Sequence, residues 1–283
     1  MPMPEWLARL DANWGGLASL EEERQRTLTA VSHGITQLLT AGTTHVGDIT
    51  NTGLSIEPLL DSGLAGVVYI EVWGLERQAA MERFHWARRL LEQHRPAERS
   101  GLRIGLTPHS PYTVHPDVLQ MAARYAQQED VPICIHVAES PFENEALLHG
   151  RGPTYDFARP LGPVPTPGLR SVAYLDKLGV LEAKPLLAHV VNVNDEELTL
   201  LAQSGAKVVH CPRSNLLLQC GRMPLEKMLA LGIPVALGTD SVASSPSLNV
   251  REEAETAVSL HHPHLTPDQI IPLLCNTSVI GNQ

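Results

Sequence analysis

Residues 185–210 read PLLAHVVNVNDEELTLLAQSGAKVVH, and this stretch decides the fold. The short apolar run Pro185–Val191 reads as a strand. Asn194, three residues ahead of Glu197, caps a helix over Asp195–Gln203, and Lys207–His210 reads as the next strand. A strand, a helix and a strand in so short a span call for parallel pairing.

Working outward, the same rhythm fills the chain. Further strands are expected at Thr44–Ile49, Gly66–Val72, Arg103–Thr107, Pro132–Val137 and Pro234–Gly238. Helices are expected over Ala79–Gln93, Pro116–Gln128, Leu169–Leu178, Pro224–Leu231 and Val250–His261. A first helix starts at a capping box of Ser19 and Glu22, carries the stripe Leu28, Val31, Ile35, Leu38 and Leu39, and stops at Gly42. Only Ser140–Gly168, rich in Pro and Gly, shows no period; it is expected as a loop that shapes the substrate space or as a surface excursion.

The 283 residues, 43% hydrophobic, suffice for one large core, and a (β/α)8 barrel takes roughly 250 residues. Seven strands are one short of that architecture, and nothing before Leu20 reads as a strand. The expectation is a single α/β domain over residues 1–283, a TIM-like barrel lacking its first strand.

Net charge is −10 without basic runs, a surface that repels phosphate backbones and anionic lipid. The expected partner is a small molecule, neutral or cationic, rather than nucleic acid or membrane; a homo-oligomer stays open. Cys134, Cys211, Cys220 and Cys275 have neither zinc-ribbon nor redox spacing and read as small buried residues. No run of 18 apolar residues and no signal-peptide layout occur, so a reduced cytoplasm is expected.

In parallel barrels catalytic groups come from the C-terminal ends of strands. Here those ends carry Asp48, Glu71, His109, His136 with Glu139, His189, His210 and Asp240. One such histidine is ordinarily a structural residue. Imidazoles on successive strands together with an aspartate suit a divalent-metal site.

The ordered blocks Pro108–Thr113, Ile135–Glu139, Leu187–His189, His210–Asn215 and Leu237–Ser241 resemble the amidohydrolase superfamily, in its cytosine-deaminase and chlorohydrolase-like branch. The resemblance runs from about Leu20 to the C-terminus. It implies that His136, His189 and Asp240 hold a divalent metal, zinc with iron as the alternative. It also implies that Asp240 takes a proton from water, that Glu139 shuttles protons, and that His109 contacts substrate. His210 is not expected as a ligand, because this branch places that role on the preceding strand, and Cys134 is expected to fill the barrel.

Val190–Val193, His210–Asn215 and Gly238–Ser244 are similar to the aminodeoxyfutalosine deaminases, which implies a deaminase attacking an amino-substituted heteroaromatic ring. One departure stands against this. The superfamily takes two ligands from a first-strand His-x-His, whereas the one such triplet here, His262-Pro263-His264, reads as a turn. The flanking β-sandwich is also without counterpart. The expectation is a chain incomplete at both ends, a degenerate relative, or one completed by a partner. The alternative function is a catalytically inactive truncated barrel acting as a binding or assembly subunit.

Overall fold

The computed structural model describes residues 1–14, 20–99 and 101–280. Two helices, α1 (Met3–Trp14) and α2 (Leu20–Thr40), lead into β1 (His45–Thr50). Ser19, the expected cap of α2, lies outside the described residues. Then follow α3 (Ile56–Ser62), β2 (Ala65–Val72), α4 (Arg77–His94), β3 (Leu102–Pro108), α5 (Pro116–Glu129) and β4 (Cys134–Val137). Three helices, α6 (Pro141–His149), α7 (Pro153–Ala158) and α8 (Ser171–Lys177), separate β4 from β5 (Leu186–His189). After α9 (Asp195–Ser204) come β6 (Lys207–His210), α10 (Pro212–Leu217), α11 (Leu225–Ala230) and β7 (Val235–Leu237). The chain closes with α12 (Val250–His261), α13 (Pro267–Ile270) and α14 (Thr277–Ile280).

All seven strands stand where the sequence places them. The stretch 140–168 corrects the expectation of an aperiodic loop, since α6 and α7 occupy much of it. Each begins with a proline in its first turn, and α6 ends at Gly150 in the left-handed region (φ 61°). The capping box of α9 forms as read, Asn194 accepting from the Glu197 backbone N–H at 2.9 Å.

Pairing is parallel throughout, in the orders β1-β2-β3 and β4-β5-β6-β7. Leu106 N–H donates to the Pro132 carbonyl (2.9 Å) and His136 N–H to the His109 carbonyl (3.0 Å), joining β3 to β4. Side chains alternate across this wall. Val68, Ile70, Val72, Ile135, Val137, Leu187, Val208 and Leu237 pack outward against the helices in the main core. Val67, Tyr69, Cys134, Leu186 and Ala236 meet on the other side in one cluster, with Val209 against it. Residues from β2 and from β4 to β7 can share a cluster only if the sheet curls around it. Cys134 fills that interior, as expected.

Among the described residues β1 and β7 do not pair. Helix α14 rests against both, with Val279 in the interior cluster, and Asn276 Nδ2 donates to the Val235 carbonyl at 2.8 Å. Strand β1 is an edge, Gly47 and Ile49 facing solvent. No helix among the described residues is long and apolar enough to cross a membrane.

Gly66 holds that edge in place. Its φ of 120° is a region L side chains rarely adopt, and a Cβ there would run into the Val46 carbonyl across the β1–β2 ladder. Gly66→Ala is expected to destabilise by about 2–4 kcal/mol in urea denaturation. A cost below about 0.5 kcal/mol, the level of an ordinary surface change, would contradict this packing.

Candidate active site

The C-terminal strand ends gather two of the three expected ligands, His189 and Asp240, together with Glu139, while His136, the third, lies beside this group rather than within it. Ligand atoms of Glu139, His189 and Asp240 lie within 4.8 Å of one another. His189 Nε2 is 3.6 Å from Glu139 Oε1. His136 stacks on His189 with ring centroids 5.6 Å apart, and His109 lies 5.0 Å from His136. The tight carboxylate–imidazole group therefore includes Glu139, for which the family resemblance implied proton transfer rather than ligation, with His136 layered against it.

Backbone strain concentrates here. Positive φ at non-glycine residues occurs at Ala138 (51°), His189 (73°), Val190 (49°) and Asp240 (56°). Such conformations cost on the order of 1–3 kcal/mol each and persist where the surroundings impose them. They have a geometric purpose. His136 and Cys134 face inward by alternation, so Glu139 has the wrong parity to follow them, and the turn at Ala138 re-aims it. Glu143 braces that turn, its carboxylate accepting from Ala138 N–H (2.8 Å) and Glu139 N–H (3.1 Å). Asn192 Nδ2 donates to the Glu139 carbonyl at 2.8 Å.

Asp240 is anchored by three donors: Ser214 Oγ (2.6 Å), Ser244 Oγ (2.7 Å) and Ser241 N–H (2.8 Å). Burial pushes its pKa up, but His189, the two serine hydroxyls and His136 outweigh burial, and the group lies below the ordinary aspartate value. Glu139 goes the other way. Burial first, then the charge of Asp240, raise it to about 8. Two neighbouring carboxyls thus hold opposite protonation states near neutral pH, which is how an acid and a base are told apart.

The imidazoles are held neutral. Burial lowers His109 and His136 to about 4 each, and lowers His189. His136 Nδ1 lies 3.1 Å from the His109 carbonyl, so that nitrogen donates and Nε2 keeps its lone pair. His109 Nδ1 pairs with Thr113 Oγ1 at 2.7 Å. Two neutral imidazoles and a carboxylate below its ordinary pKa are a donor set suited to a borderline divalent cation such as zinc.

Other sequence candidates fall outside this group. Asp48 accepts from Ser55 Oγ at 2.6 Å and is raised by burial. Glu71, also raised by burial and partly offset by its neighbours His136 and Arg83, flanks the site. His210 follows Val209 by one residue, so alternation turns it away from the interior, where it meets His261 of α12. His262-Pro263-His264 is an exposed turn, as read. Tyr112, in the Pro108–Thr113 block, is buried edge-on to His109 at 6.4 Å. A surface groove of about 470 Å³ beside Arg170 and Glu197 holds none of these residues.

Residues missed from the sequence are Glu143, Ser214, Ser244, Asn192 and Asn215, whose Nδ2 lies 3.0 Å from His189 Nδ1. All are polar groups bracing the site from the segments that follow its strands.

Stability should carry the mark of these groups. Glu139 and Glu143, raised to about 8 and about 7, bind protons in the folded state that the unfolded chain gives up near 4.5. Their contribution is full below 4.5 and is lost as pH rises through 7–8. The depressed histidines act oppositely: their contribution is present above 6.5 and lost as pH falls. Comparing wild type with Glu139→Gln in the metal-free chain cancels the histidines. The variant is expected to gain on the order of 3 kcal/mol relative to wild type between pH 5 and 8. A pH-independent difference in urea denaturation would refute the raised value.

A model of the Amidohydrolase family matches residues 1–276. The chain is 42% identical over 257 residues to an aminodeoxyfutalosine deaminase of Deinococcus radiodurans, covering 87% of this chain and 61% of that protein. It is 30% identical over 281 residues to a 5'-deoxyadenosine deaminase of Methanothermobacter thermautotrophicus, covering 97% and 60%. The chain thus spans about three fifths of the length of these curated relatives. Among solved structures, an aminofutalosine deaminase of Helicobacter pylori in complex with methylthio-coformycin superposes with a TM-score of 0.80 at 22% identity, covering 99% of this chain and 65% of that one. An adenosine deaminase from Xanthomonas campestris with bound zinc gives 0.75 at 23%, covering 92% and 55%.

Proposed function

The chain belongs to the amidohydrolase family, and from that premise we propose that it is a metal-dependent aminohydrolase acting on an adenine-like ring, with aminodeoxyfutalosine as substrate. One observation carries the reading. A protonated glutamate and an ionised aspartate flank an imidazole at the strand ends, in a chain 42% identical to an aminodeoxyfutalosine deaminase. We read the seven strands as seven of a (β/α)8 barrel.

In this reading His136, His189 and Asp240 hold a divalent ion, zinc for preference, which when bound supplies the Lewis acidity that lets water ionise near neutral pH. Asp240, ionised and fixed by its serines, accepts the proton released by the attacking water. Glu139 enters as the carboxylic acid and donates its proton to a ring nitrogen, which draws electron density from the carbon under attack. The carboxylate left behind takes the proton of the added hydroxyl as C=O forms and hands it to the departing amine, and the proton held by Asp240 then restores the Glu139 acid. Overall, a C–NH2 and water become C=O and ammonia. His109, neutral and fixed by Thr113, offers its free ring nitrogen to the substrate.

The test is ammonia release from aminodeoxyfutalosine and from adenosine, with metal analysis of the purified chain. Near-stoichiometric zinc or iron together with turnover supports the reading. Absence of both would favour the second one, a binding or assembly subunit, for which the exposed β1 edge offers a surface.

A further inference from the structure

Behind His189 lies a row of buried polar groups that the proposed chemistry does not use. Asn215 has its amide nitrogen 3.0 Å from His189 Nδ1 and lies next to His210, although neither its Oδ1 nor His210 Nδ1 reaches a hydrogen-bond partner. His210 Nε2 is 3.2 Å from His261 Nε2. His261 Nδ1 faces Glu226 Oε2 at 3.8 Å, and Arg222 grips Glu226 with contacts of 2.9 and 3.0 Å. His210 and His261 are fully buried. Three atoms of this row, Asn215 Oδ1, His210 Nδ1 and His261 Nδ1, are buried without a hydrogen-bond partner.

Each neutral imidazole has one N–H and one lone pair, and an amide has a donor end and an acceptor end. The row can therefore run in only two directions. In the first, Asn215 donates to His189 Nδ1, which puts the His189 proton on Nε2. His210 then carries its proton on Nδ1 and His261 on Nε2, leaving a His261 lone pair turned toward the Glu226 carboxylate. In the second, the Asn215 amide is turned over, an exchange that leaves the heavy-atom positions in place. His189 Nδ1–H then donates to Asn215 Oδ1, Asn215 Nδ2 donates to His210 Nδ1, and His210 Nε2–H donates to His261 Nε2. His261 Nδ1–H is left facing the carboxylate. Both directions match a donor to an acceptor between Asn215 and His210, but only the second sets a donor, His261 Nδ1–H, rather than a lone pair against the Glu226 carboxylate.

We propose that Glu226, His261, His210 and Asn215 form a tautomer relay that fixes the His189 proton on Nδ1 and so presents the Nε2 lone pair to the strand-end site. No proton is gained or lost along it. The ionised Glu226, held by Arg222 some four side chains away, sets the polarity of every link. Burial, which keeps His210 and His261 neutral, supports such a row. These four are positioning residues. The relay rests on His189 serving as a metal ligand only for its consequence, not for its existence.

The experiment is long-range proton–nitrogen NMR on the metal-free, 13C,15N-labelled chain at pH 7, with each ring assigned through correlations to its own backbone. The expected result is Nδ1–H on His189 and His261 and Nε2–H on His210. The reversed set would overturn the proposal, and this wild-type measurement decides even if no variant folds. Glu226→Gln, whose amide can donate to His261 Nδ1, is expected to admit the reversed tautomers and to weaken zinc binding about 10-fold in chelator competition. Unchanged tautomers in Glu226→Gln would also refute it. If the tautomers shift while zinc affinity does not, the relay stands and the assignment of His189 as ligand falls.

Discussion

Glu139→Gln is expected to lower kcat by about 1,000-fold, within the 10²–10⁴ range of positioned proton transfer, while zinc affinity stays within about threefold. The amide matches the carboxyl in shape and can keep its contacts, but it has no proton to give at the ring nitrogen. Its setting explains why so much of the rate rests on this group. The positive φ at Ala138, the Glu143 carboxylate beneath the turn and the Asn192 contact fix where Glu139 points. Burial and Asp240 keep it protonated up to about pH 8. A cation bound beside Glu139 favours its carboxylate, so the basic limb of the wild-type pH–rate profile should fall below the metal-free value of about 8, and it should vanish from the residual activity of the variant. Because Glu139 lies within 4.8 Å of the His189 and Asp240 donors, the zinc measurement also separates shuttle from ligand. A 30-fold or greater loss of zinc affinity would assign Glu139 to the metal and overturn the shuttle.

The frame of this molecule is written in short-range pattern, and the site's supports are not. Runs such as Gly66–Val72 and Pro132–Val137 are apolar because both faces of a curled sheet are covered, so the strands were legible residue by residue. The strand-end rule then collected His109, His136, His189 and Asp240 without any contact being known. Helices α6 and α10 were invisible for a different reason. Their buried residues include Glu143 and Asn144 on one, Ser214 and Asn215 on the other, so no apolar stripe marks either. What the sequence offered instead was a proline two residues beyond a strand-end glutamate or histidine, at Pro141 and Pro212, where a helix can start. His261 was legible as the last residue of a helix, but its pairing with His210 depends on a separation of 51 residues that no local pattern carries. The parity of His210 was readable. Val209 faces the interior, so its neighbour had to face the helices.

Arg213→Met is expected to cost about 3–5 kcal/mol in urea denaturation, the range for leaving a buried charge without its partner. Arg213 is the tie between α10 and α12. Its Nε donates to Glu253 Oε1 at 2.6 Å and its backbone N–H to Glu253 Oε2 at 3.0 Å, while its terminal nitrogens reach Glu252, Ser247 and the Asn249 carbonyl. Glu253 has no solvent-exposed side-chain surface and is already raised by burial. Without the guanidinium it keeps only the backbone N–H and Ser245 Oγ at 3.3 Å, and it should titrate higher still. The sign follows from linkage. A carboxyl raised above its unfolded value contributes fully below about 4.5 and loses that contribution as pH rises, so the deficit of the variant should grow from pH 5 to pH 8. Adding Glu253→Leu removes the orphaned charge and should recover more than half of the loss. Activity should follow a different course, because the residues beside Arg213 are Ser214 and Asn215, which hold Asp240 and His189. The double variant regains stability but not the tether that fixes α10, and its kcat should remain at least 10-fold below wild type. A single variant costing less than about 1 kcal/mol, or a double variant with full activity, would show that α10 is held by something other than Arg213.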